Sequence, residues 1–343
     1  MAIIPRNSGC SYTPILRTKR GELSALKRLT PQVAARVSPL LMVTDTSIVQ
    51  TPTHIMRHVT QLKQAWPHAH NLFIDANILE VQYIGTSLIY FNHLIQQSLP
   101  IAPAFTIGLS SSNYINAIKN FLMTQTNPCV CIRLLPQLYP DPNTLSSTLL
   151  EVLKYFKQFQ LRIIVDMLEL QVAQMLIPYV RQLIDWIASI HRWADITLAG
   201  SSFPKLLPPT AVLVPQRISR QEWQLWDAIR QQGGICPSFG DYTCQHCTFE
   251  DFITIPSANI APKLRYTTDL EWIVVKGHGG QNQDYVQMAQ TIINLPEFCG
   301  PQFSYGDKFI HDKSSGSSQT LGNHESRVVA DENHHITYVV SQL

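Results

Sequence analysis

The sequence has no long apolar run and few charged residues. None of its apolar stretches approaches the ~18–20 residues that a membrane-spanning helix requires. Charged residues make up 15% of the chain, which is low for a soluble domain. The formal net charge is only +2, so the sequence offers no broad basic surface of the kind that binds a nucleic-acid backbone. We therefore expect neither a membrane protein nor a nucleic-acid-binding protein.

Several sequence signatures of chemistry are also missing. We find no glycine-rich phosphate loop, no dinucleotide-binding fingerprint and no Gly-x-Ser-x-Gly nucleophile elbow. The first residues lack the basic segment and long apolar core of a secretory signal. The seven cysteines are an odd number scattered along the chain, which indicates reduced thiols and no disulfide framework. We expect a cytoplasmic protein.

Short apolar runs alternate with helix-like segments along most of the chain. Each run ends in a polar or charged residue and is apolar almost throughout, which is typical of strands covered by helices on both faces. Short connections favour right-handed crossovers between parallel strands. We predict an α/β fold, a (β/α)8 TIM-like barrel. The predicted strands are 13–19, 40–45, 71–77, 103–110, 129–134, 162–167, 195–202 and 234–241.

The pattern changes in the last hundred residues. Residues 263–277 predict a β-hairpin that turns near Thr268–Asp269. The last ten residues predict a short helix with Asn333 as its N-cap. We divide the chain into a barrel, residues 1–245, and a C-terminal hairpin-and-helix extension, residues 246–343. The extension is expected to pack on one end of the barrel, so that both parts form one structural unit.

Five separated motifs carry a family resemblance. They are PILRTKRGELSAL, GSSFP, SFGDY, LRYTTDLEWIVVKG and NHHITYVV. In this order and spacing they resemble the "beta protein" family of phages, satellite phages, prophages and bacterial genomes, nearly from end to end. The resemblance implies a barrel protein of mobile elements, encoded near anti-phage or toxin-like genes. The founding member is regarded as countering a killing function encoded beside it, and no settled catalytic mechanism comes with the family.

Ionisable and polar side chains follow most of the predicted strands. Because the C-terminal ends of barrel strands meet at one end, we expect these side chains to share one mouth. Ionisable groups that converge on a cavity indicate a ligand or catalytic site, although mixed charges can also form a solvated salt-bridge layer. The candidate catalytic residues are Lys19, Glu22, Asp166 and Asp241, and the candidate ligand-binding residues are Asp75, Arg133, Ser201, Tyr242 and Arg265.

Most of these residues have a structural alternative. Lys19 can bind an anion that Glu22 holds or deprotonates, or Glu22 can simply favour the start of a helix. Arg133 can bind a carboxylate or phosphate, or pair with Asp166. The resemblance favours a role at the mouth for Arg265, which is otherwise an ordinary hairpin arginine.

Two strand-end segments leave further alternatives. Ser201 stands at a turn whose amides could cradle an anion. The segment Ser238–Tyr242 places Asp241 at the end of the last predicted strand. Its Ser-aromatic-Gly-Asp pattern recurs in Ser304–Lys308, where Asp307 could likewise end a strand, unless the repeat is chance or both copies are turns.

Metal binding stays open at this point. Cys244 and Cys247 have a chelating spacing, but there is no second Cys-x-x-Cys pair to complete a zinc site. The carboxylates of Asp75, Asp166 and Asp241 could together bind Mg²⁺ through oxygen ligands. No other cofactor is predicted. His334–His335 is either a metal-binding pair or the start of a helix.

Two functions fit these observations. The first is a mobile-element accessory protein in anti-phage defence or toxin neutralisation, which binds a protein partner encoded nearby or a small anionic ligand in a polar cavity at the mouth. The second is a barrel enzyme that acts by acid–base chemistry on a phosphorylated or carboxylated small molecule or a nucleotide. Lys19, Arg133 and Arg265 would bind the anion. Fold alone does not choose between the two, because barrels host both.

Overall fold

Eight of the strands form a closed barrel of parallel strands. In the computed structural model, the described residues are 12–68, 70, 72–248, 261–278, 284–316 and 323–343; residue 71, at the start of the third predicted strand, lies outside them. The strands are β1 Tyr12–Arg17, β2 Leu40–Met42, β3 Leu72–Asp75, β4 Ile101–Thr106, β5 Cys129–Leu134, β6 Gln160–Glu169, β7 Asp195–Ser201, β8 Gln216–Ser219, β9 Ser238–Asp241, β10 Lys263–Thr267 and β11 Glu271–Lys276. The barrel order is β1-β2-β3-β4-β5-β6-β7-β9. The predicted TIM-like barrel with a C-terminal hairpin and helix extension is confirmed.

Helices follow most of the barrel strands and complete the extension. They are α1 Arg20–Lys27, α2 Pro31–Ala34, α3 Pro52–Ala65, α4 Asn77–Gln82, α5 Thr86–Gln96, α6 Ser112–Leu122, α7 Pro142–Phe156, α8 Ile177–Ile190, α9 Gln221–Gln231, α10 Asp284–Ile293, α11 Tyr305–Ser314 and α12 His324–Gln342. Short 3₁₀ turns lie at Thr46–Val49, Pro136–Leu138 and Gln174–Leu176. Across the described ranges, no helix combines the length and the apolar character that a membrane span requires.

Side-chain alternation along each strand separates an inner from an outer core. Inward-facing residues include the small side chains of Ala102, Ala104 and Cys131, which leave room for the larger Phe73 and Tyr242 inside the barrel. Outward-facing strand residues pack against the helices in a much larger apolar cluster. A residue's position in this alternation therefore decides whether its side chain lies inside the barrel or under the helix layer.

The extension contains its own small sheet. The predicted hairpin is present: β10 and β11 are antiparallel, and Thr267 is opposite Trp272. The sheet order is β10-β11-β8, so a strand from the connection between β7 and α9 completes it. Leu264, Tyr266 and Ile273 of this sheet pack against α10 and α11. The barrel-forming part of the chain thus contributes one strand to the extension.

The last helix is longer than the sequence pattern predicts. α12 begins at His324 and is capped by Asn323, whose side chain accepts the Ser326 N–H. The prediction of Asn333 as N-cap is therefore wrong. Asn333 instead lies inside the helix, where its side chain donates to Ala25 O at 3.2 Å and accepts the Gly306 N–H at 3.2 Å. It fastens α12 to α1 and α11.

Glycine allows the closest of these approaches. A Cβ on Gly306 would lie 2.2 Å from the backbone oxygen of Ala330, a distance that no side chain could accept without moving the helices apart. α11 and α12 are therefore held in backbone contact at this point.

Candidate functional site

The predicted site residues at the ends of barrel strands lie on two opposite faces of the sheet. Tyr242 faces into the barrel and packs in the inner core. Asp241, one residue earlier, faces outward, as does Phe239, which packs against Trp223 and Trp226. The expectation that Asp166 and Asp241 share one mouth is wrong, because adjacent strand residues point to opposite faces. We name the two sets the barrel-mouth group (Asp75, Arg133, Asp166 and Tyr242) and the helix-interface group (Glu22, Asp241, Gln245, Glu332 and His335).

The barrel-mouth group is built around an arginine–carboxylate pair. Arg133 places Nε 2.8 Å and Nη2 2.7 Å from Asp166 Oδ2. Tyr242 donates its hydroxyl to the same oxygen at 2.5 Å and accepts Arg133 Nη2–H. The other oxygen, Asp166 Oδ1, accepts the Leu168 N–H at 2.9 Å. These contacts satisfy both charges within a buried site, which is the condition for keeping an ion pair away from water.

Asp75 is the member of this group with acid–base capacity near neutral pH. Its side chain is buried, and burial raises its pKa to about 6, although the Asn77 N–H and the Arg133 charge act in the opposite direction. The Asn77 N–H lies 3.0 Å from Asp75 Oδ1. A carboxyl group that titrates in this range beside a fixed arginine has the property expected of a general acid or base.

The remaining predicted residues have different surroundings. Ser201 donates its hydroxyl to Gln245 O at 3.0 Å, so it fixes the segment that follows β9 over the barrel end. Lys19 is exposed at the residue before α1. Arg265 lies in the extension, where its backbone N–H and Nη1 donate to Asp331 at 3.1 and 3.3 Å. The structure therefore brings only part of the predicted set to the barrel mouth.

Glu22 belongs to the helix-interface group. Arg17 donates Nε–H to Glu22 Oε1 at 2.9 Å and its backbone N–H to Oε2. Gln245 Nε2 donates to Glu22 Oε1 at 2.9 Å and to Glu332 Oε1 at 2.8 Å. One amide group thus links the start of α1, the segment after β9 and α12.

Glu332 holds a proton at neutral pH. Burial and, after it, the nearby Glu22 carboxylate raise its pKa to about 8. Two other buried acids also have raised pKa values. The pKa of Asp331 rises to about 7 although the Arg265 charge lowers it, and the pKa of Glu222 rises to about 7 although the Arg220 charge lowers it. Burial is the largest cause in both. The contact between α12 and the barrel is therefore sensitive to pH above neutrality.

Asp241 and His335 form the pair that joins the barrel wall to α12. Asp241 accepts hydrogen bonds from Tyr12 Oη at 2.5 Å, from the Thr243 N–H at 2.9 Å and from His335 Nε2 at 2.8 Å. Burial opposes ionisation of Asp241, but its interactions with His335, and after them the Tyr12 hydroxyl, hold its pKa below the usual range. Burial lowers the pKa of His335. His335 is then a neutral ring whose Nδ1 accepts the Thr267 hydroxyl at 2.8 Å.

The adjacent His334 has different hydrogen-bond partners. Its Nδ1 lies 2.8 Å from Asp307 Oδ2 and its Nε2 lies 2.9 Å from the backbone oxygen of Thr267. Asp307 also accepts the hydroxyls of Tyr266 and Ser304. Because both ring nitrogens face acceptors, this geometry suits a ring that carries hydrogen on both nitrogens. It stacks on Tyr266 with ring centroids 3.9 Å apart.

Asp307 lies in the first turn of α11, with Ser304 as the N-cap. The expectation that the second Ser-aromatic-Gly-Asp copy ends a strand, as the first does, is therefore wrong. The helix start that His334–His335 was expected to mark is likewise absent, since both residues lie inside α12. Each ring instead pairs with a carboxylate contributed by another element.

The expected magnesium set is divided by the sheet. Asp75 and Asp166 face inward and Asp241 faces outward, so the three carboxylates do not form one oxygen site. Cys244 lies 3.8 Å from Thr267 Oγ1, and Cys247 packs against the inner core. Over the described ranges, no group of three or more His, Cys, Asp or Glu side chains is arranged to hold a metal ion.

The fold and these two groups define a closed parallel barrel with a C-terminal helix packed against the outer side of its wall. The sequence model of the family described as Beta protein matches residues 12–341, and the chain belongs to this family. The search of curated proteins found no match. One solved structure is similar: the enoyl reductase domain of MlnA from the macrolactin biosynthesis cluster of Bacillus amyloliquefaciens, at 11% identity over 97% of this chain and 80% of that chain, with a TM-score of 0.35. A likeness this weak carries no argument about activity.

The raised pKa of Glu332 predicts a loss of stability with rising pH. The folded state keeps a proton that the unfolded chain, with an ordinary pKa of 4.5, has already released. The free energy of unfolding should therefore fall as the pH rises from 6.5 to 9. Glu332→Gln, which mimics the protonated side chain, should reduce this fall by up to ~1.4 kcal/mol per pH unit below pH 8. Urea unfolding at a series of pH values measures both slopes.

Glu325→Gln is the matched control, because it is the same change in the same helix at a partly exposed position paired with Arg20. It should leave the slope of wild type unchanged. Equal slopes for wild type and Glu332→Gln would show that Glu332 is ionised in the folded protein.

The two neighbouring histidines should differ in protonation. At pH 7.5, ¹⁵N NMR of histidine-labelled protein should show hydrogen on both ring nitrogens of His334 and on Nε2 alone of His335. Assignment comes from His334→Gln and His335→Gln, each of which removes one set of signals. Two neutral rings in this region would contradict the acceptor geometry at Asp307 and Thr267.

Proposed function

We propose that this chain is a mobile-element accessory protein that acts in phage defence or toxin neutralisation by binding a protein partner. The partner would contact the loops that follow the barrel strands. Membership of the Beta protein family supports a role in mobile elements, because its founding member is regarded as countering a neighbouring killing function. The site supports binding over catalysis, since Arg133 and Asp166 of the barrel-mouth group satisfy each other.

The observation that carries this proposal is the position of the exposed apolar side chains. Loops after β3, β4, β5 and β6 each expose at least one of them, and strand direction places all four loops at the C-terminal end of the barrel. Ile84 is 79% exposed and Met175 is 80% exposed. Apolar side chains gathered at one end of a molecule indicate an interaction surface. The partner-facing residues are Ile78, Val81, Tyr83, Ile84, Leu109, Leu138, Val172 and Met175.

The segment after β3 contributes most of this surface. Glu80 holds α4 against the turn that follows it. Its buried side chain accepts the Gly85 N–H at 2.7 Å and the Ser87 hydroxyl at 2.5 Å. Val81 and Ile84 are thereby presented to solvent on a held backbone. A rigid apolar surface loses little conformational entropy on binding, which favours affinity.

The test is neutralisation of the toxin-like protein that this proposal places beside the gene for this chain. We expect Val81→Ser/Ile84→Ser/Met175→Ser to weaken binding of the purified neighbouring protein by about tenfold or more, since each substitution removes apolar area from the contact. Protection of cells that express the neighbour should fall in parallel. Isothermal titration calorimetry and survival of co-expressing cells give the two readings.

Met123→Ser/Leu150→Ser/Tyr155→Ser is the matched control, with three exposed apolar residues outside the barrel mouth. It should bind and protect as wild type does. Full protection by the Val81/Ile84/Met175 variant, with circular dichroism unchanged, would contradict the proposal.

A second function, the acid–base enzyme with a polar ligand at the mouth, is favoured by one observation, the pKa of about 6 at Asp75. Asp75→Asn distinguishes the two. Loss of protection with unchanged partner binding would support the enzyme, and unchanged protection would support the binding protein.

A further inference from the structure

A small basic pocket lies outside the barrel, between β10 and the first turn of α12. Its volume is about 60 Å³, roughly the space of two water molecules at ~30 Å³ each. It can therefore admit one compact group but not a whole metabolite. The lining residues are Ala261, Lys263, Arg265, His324, Arg327 and Val328.

The cations of this pocket lack enough acidic partners. Within the described ranges, the Lys263 ammonium has no carboxylate within ion-pair distance, and the buried Nε of Arg265 and Nη1 of Arg327 have no hydrogen-bond acceptor. Asp331 pairs with Arg265 at 3.3 Å, and it is the carboxyl that faces this set. Three permanent or nearly permanent cations thus surround one acid.

The pKa values show the resulting repulsion. Burial, and after it the Arg265 charge, lowers the pKa of Lys263 and of His324. Burial lowers that of Arg327 to about 10, with Asp331 opposing and Arg265 adding to the effect. Each of these groups would keep its charge more easily if an anion lay between them.

The start of α12 adds to the positive potential. His324 and Arg327 lie in the first turn of this 19-residue helix, where the helix dipole favours an anion. Arg327 is held in place over the Tyr285 ring, with its Cζ 4.3 Å from the ring centroid. The side chain is thus positioned before any ligand arrives.

We propose that this pocket binds a phosphate group, either as inorganic phosphate or as the end of a phosphomonoester. Two guanidinium groups and an ammonium match a tetrahedral dianion in charge and in hydrogen-bond geometry. A singly charged carboxylate would balance less of the charge and binds more weakly. The site is separate from the partner-facing loops, so this inference does not depend on the proposed function.

The test is calorimetric titration of the full chain with inorganic phosphate, phenyl phosphate and acetate at constant ionic strength and pH 7.5. We expect saturable binding of phosphate and at least tenfold weaker binding of acetate. Tighter binding of phenyl phosphate than of phosphate assigns the pocket to phosphomonoesters, and weaker binding assigns it to the free ion.

Lys263→Gln/Arg327→Gln should weaken phosphate binding at least tenfold. The control is Arg217→Gln/Lys308→Gln, which removes the same charge from exposed positions outside the pocket and should bind as wild type does. Lys263→Gln alone removes no ion pair, so it gives a folded variant for the comparison. The absence of saturable phosphate binding to wild type, or equal affinity in the two double variants, would overturn the proposal.

Discussion

The buried contact between α12 and the barrel wall is the interaction on which the rest of the structure depends. Buried polar groups meet there: Asp241 with His335 and Glu332 with Gln245, while the neighbouring His334 pairs with Asp307 of α11. Charges and polar groups in such a place destabilise a protein unless every one is partnered. Removing one partner of a buried pair costs more free energy than forming the pair contributes. This constraint fixes where the last helix lies, and with it the extension.

The same contact decides what the barrel end can do. Gln245 and the Ser201 hydroxyl fix the segment after β9, while α12 contacts the outer side of β1 and, through His335, Asp241 of β9. The inward-facing charges of Arg133 and Asp166 are then left to pair with each other. What remains accessible at this end is the apolar surface of the loops, and a separate basic pocket at the start of α12. The exposed residues of these regions are therefore different from those that hold α12 against the barrel.

The sequence predicts the barrel well and the site only in part. Buried strands and amphipathic helices have clear periods, so the barrel and the hairpin could be predicted. Whether Asp241 lies on the same face of the sheet as Asp166 depends on the exact register at the strand end. A shift of one residue moves a side chain to the opposite face. The burial and the partners of Asp331–His335 escaped prediction because five consecutive polar residues resemble a solvated segment, whereas each has a partner distant in sequence. The unusual density of ionisable types there is the signal that could have revealed them.

Native-state hydrogen exchange tests the central claim, that α12 and the barrel are one cooperative unit joined by these buried pairs. The amides of Ile336 and Val339 should exchange with the same free energy, and the same denaturant dependence, as those of Phe239 and Gly240 in β9. Exchange of the α12 amides at a clearly lower free energy, while β9 stays protected, would show that the helix detaches on its own and would contradict the account.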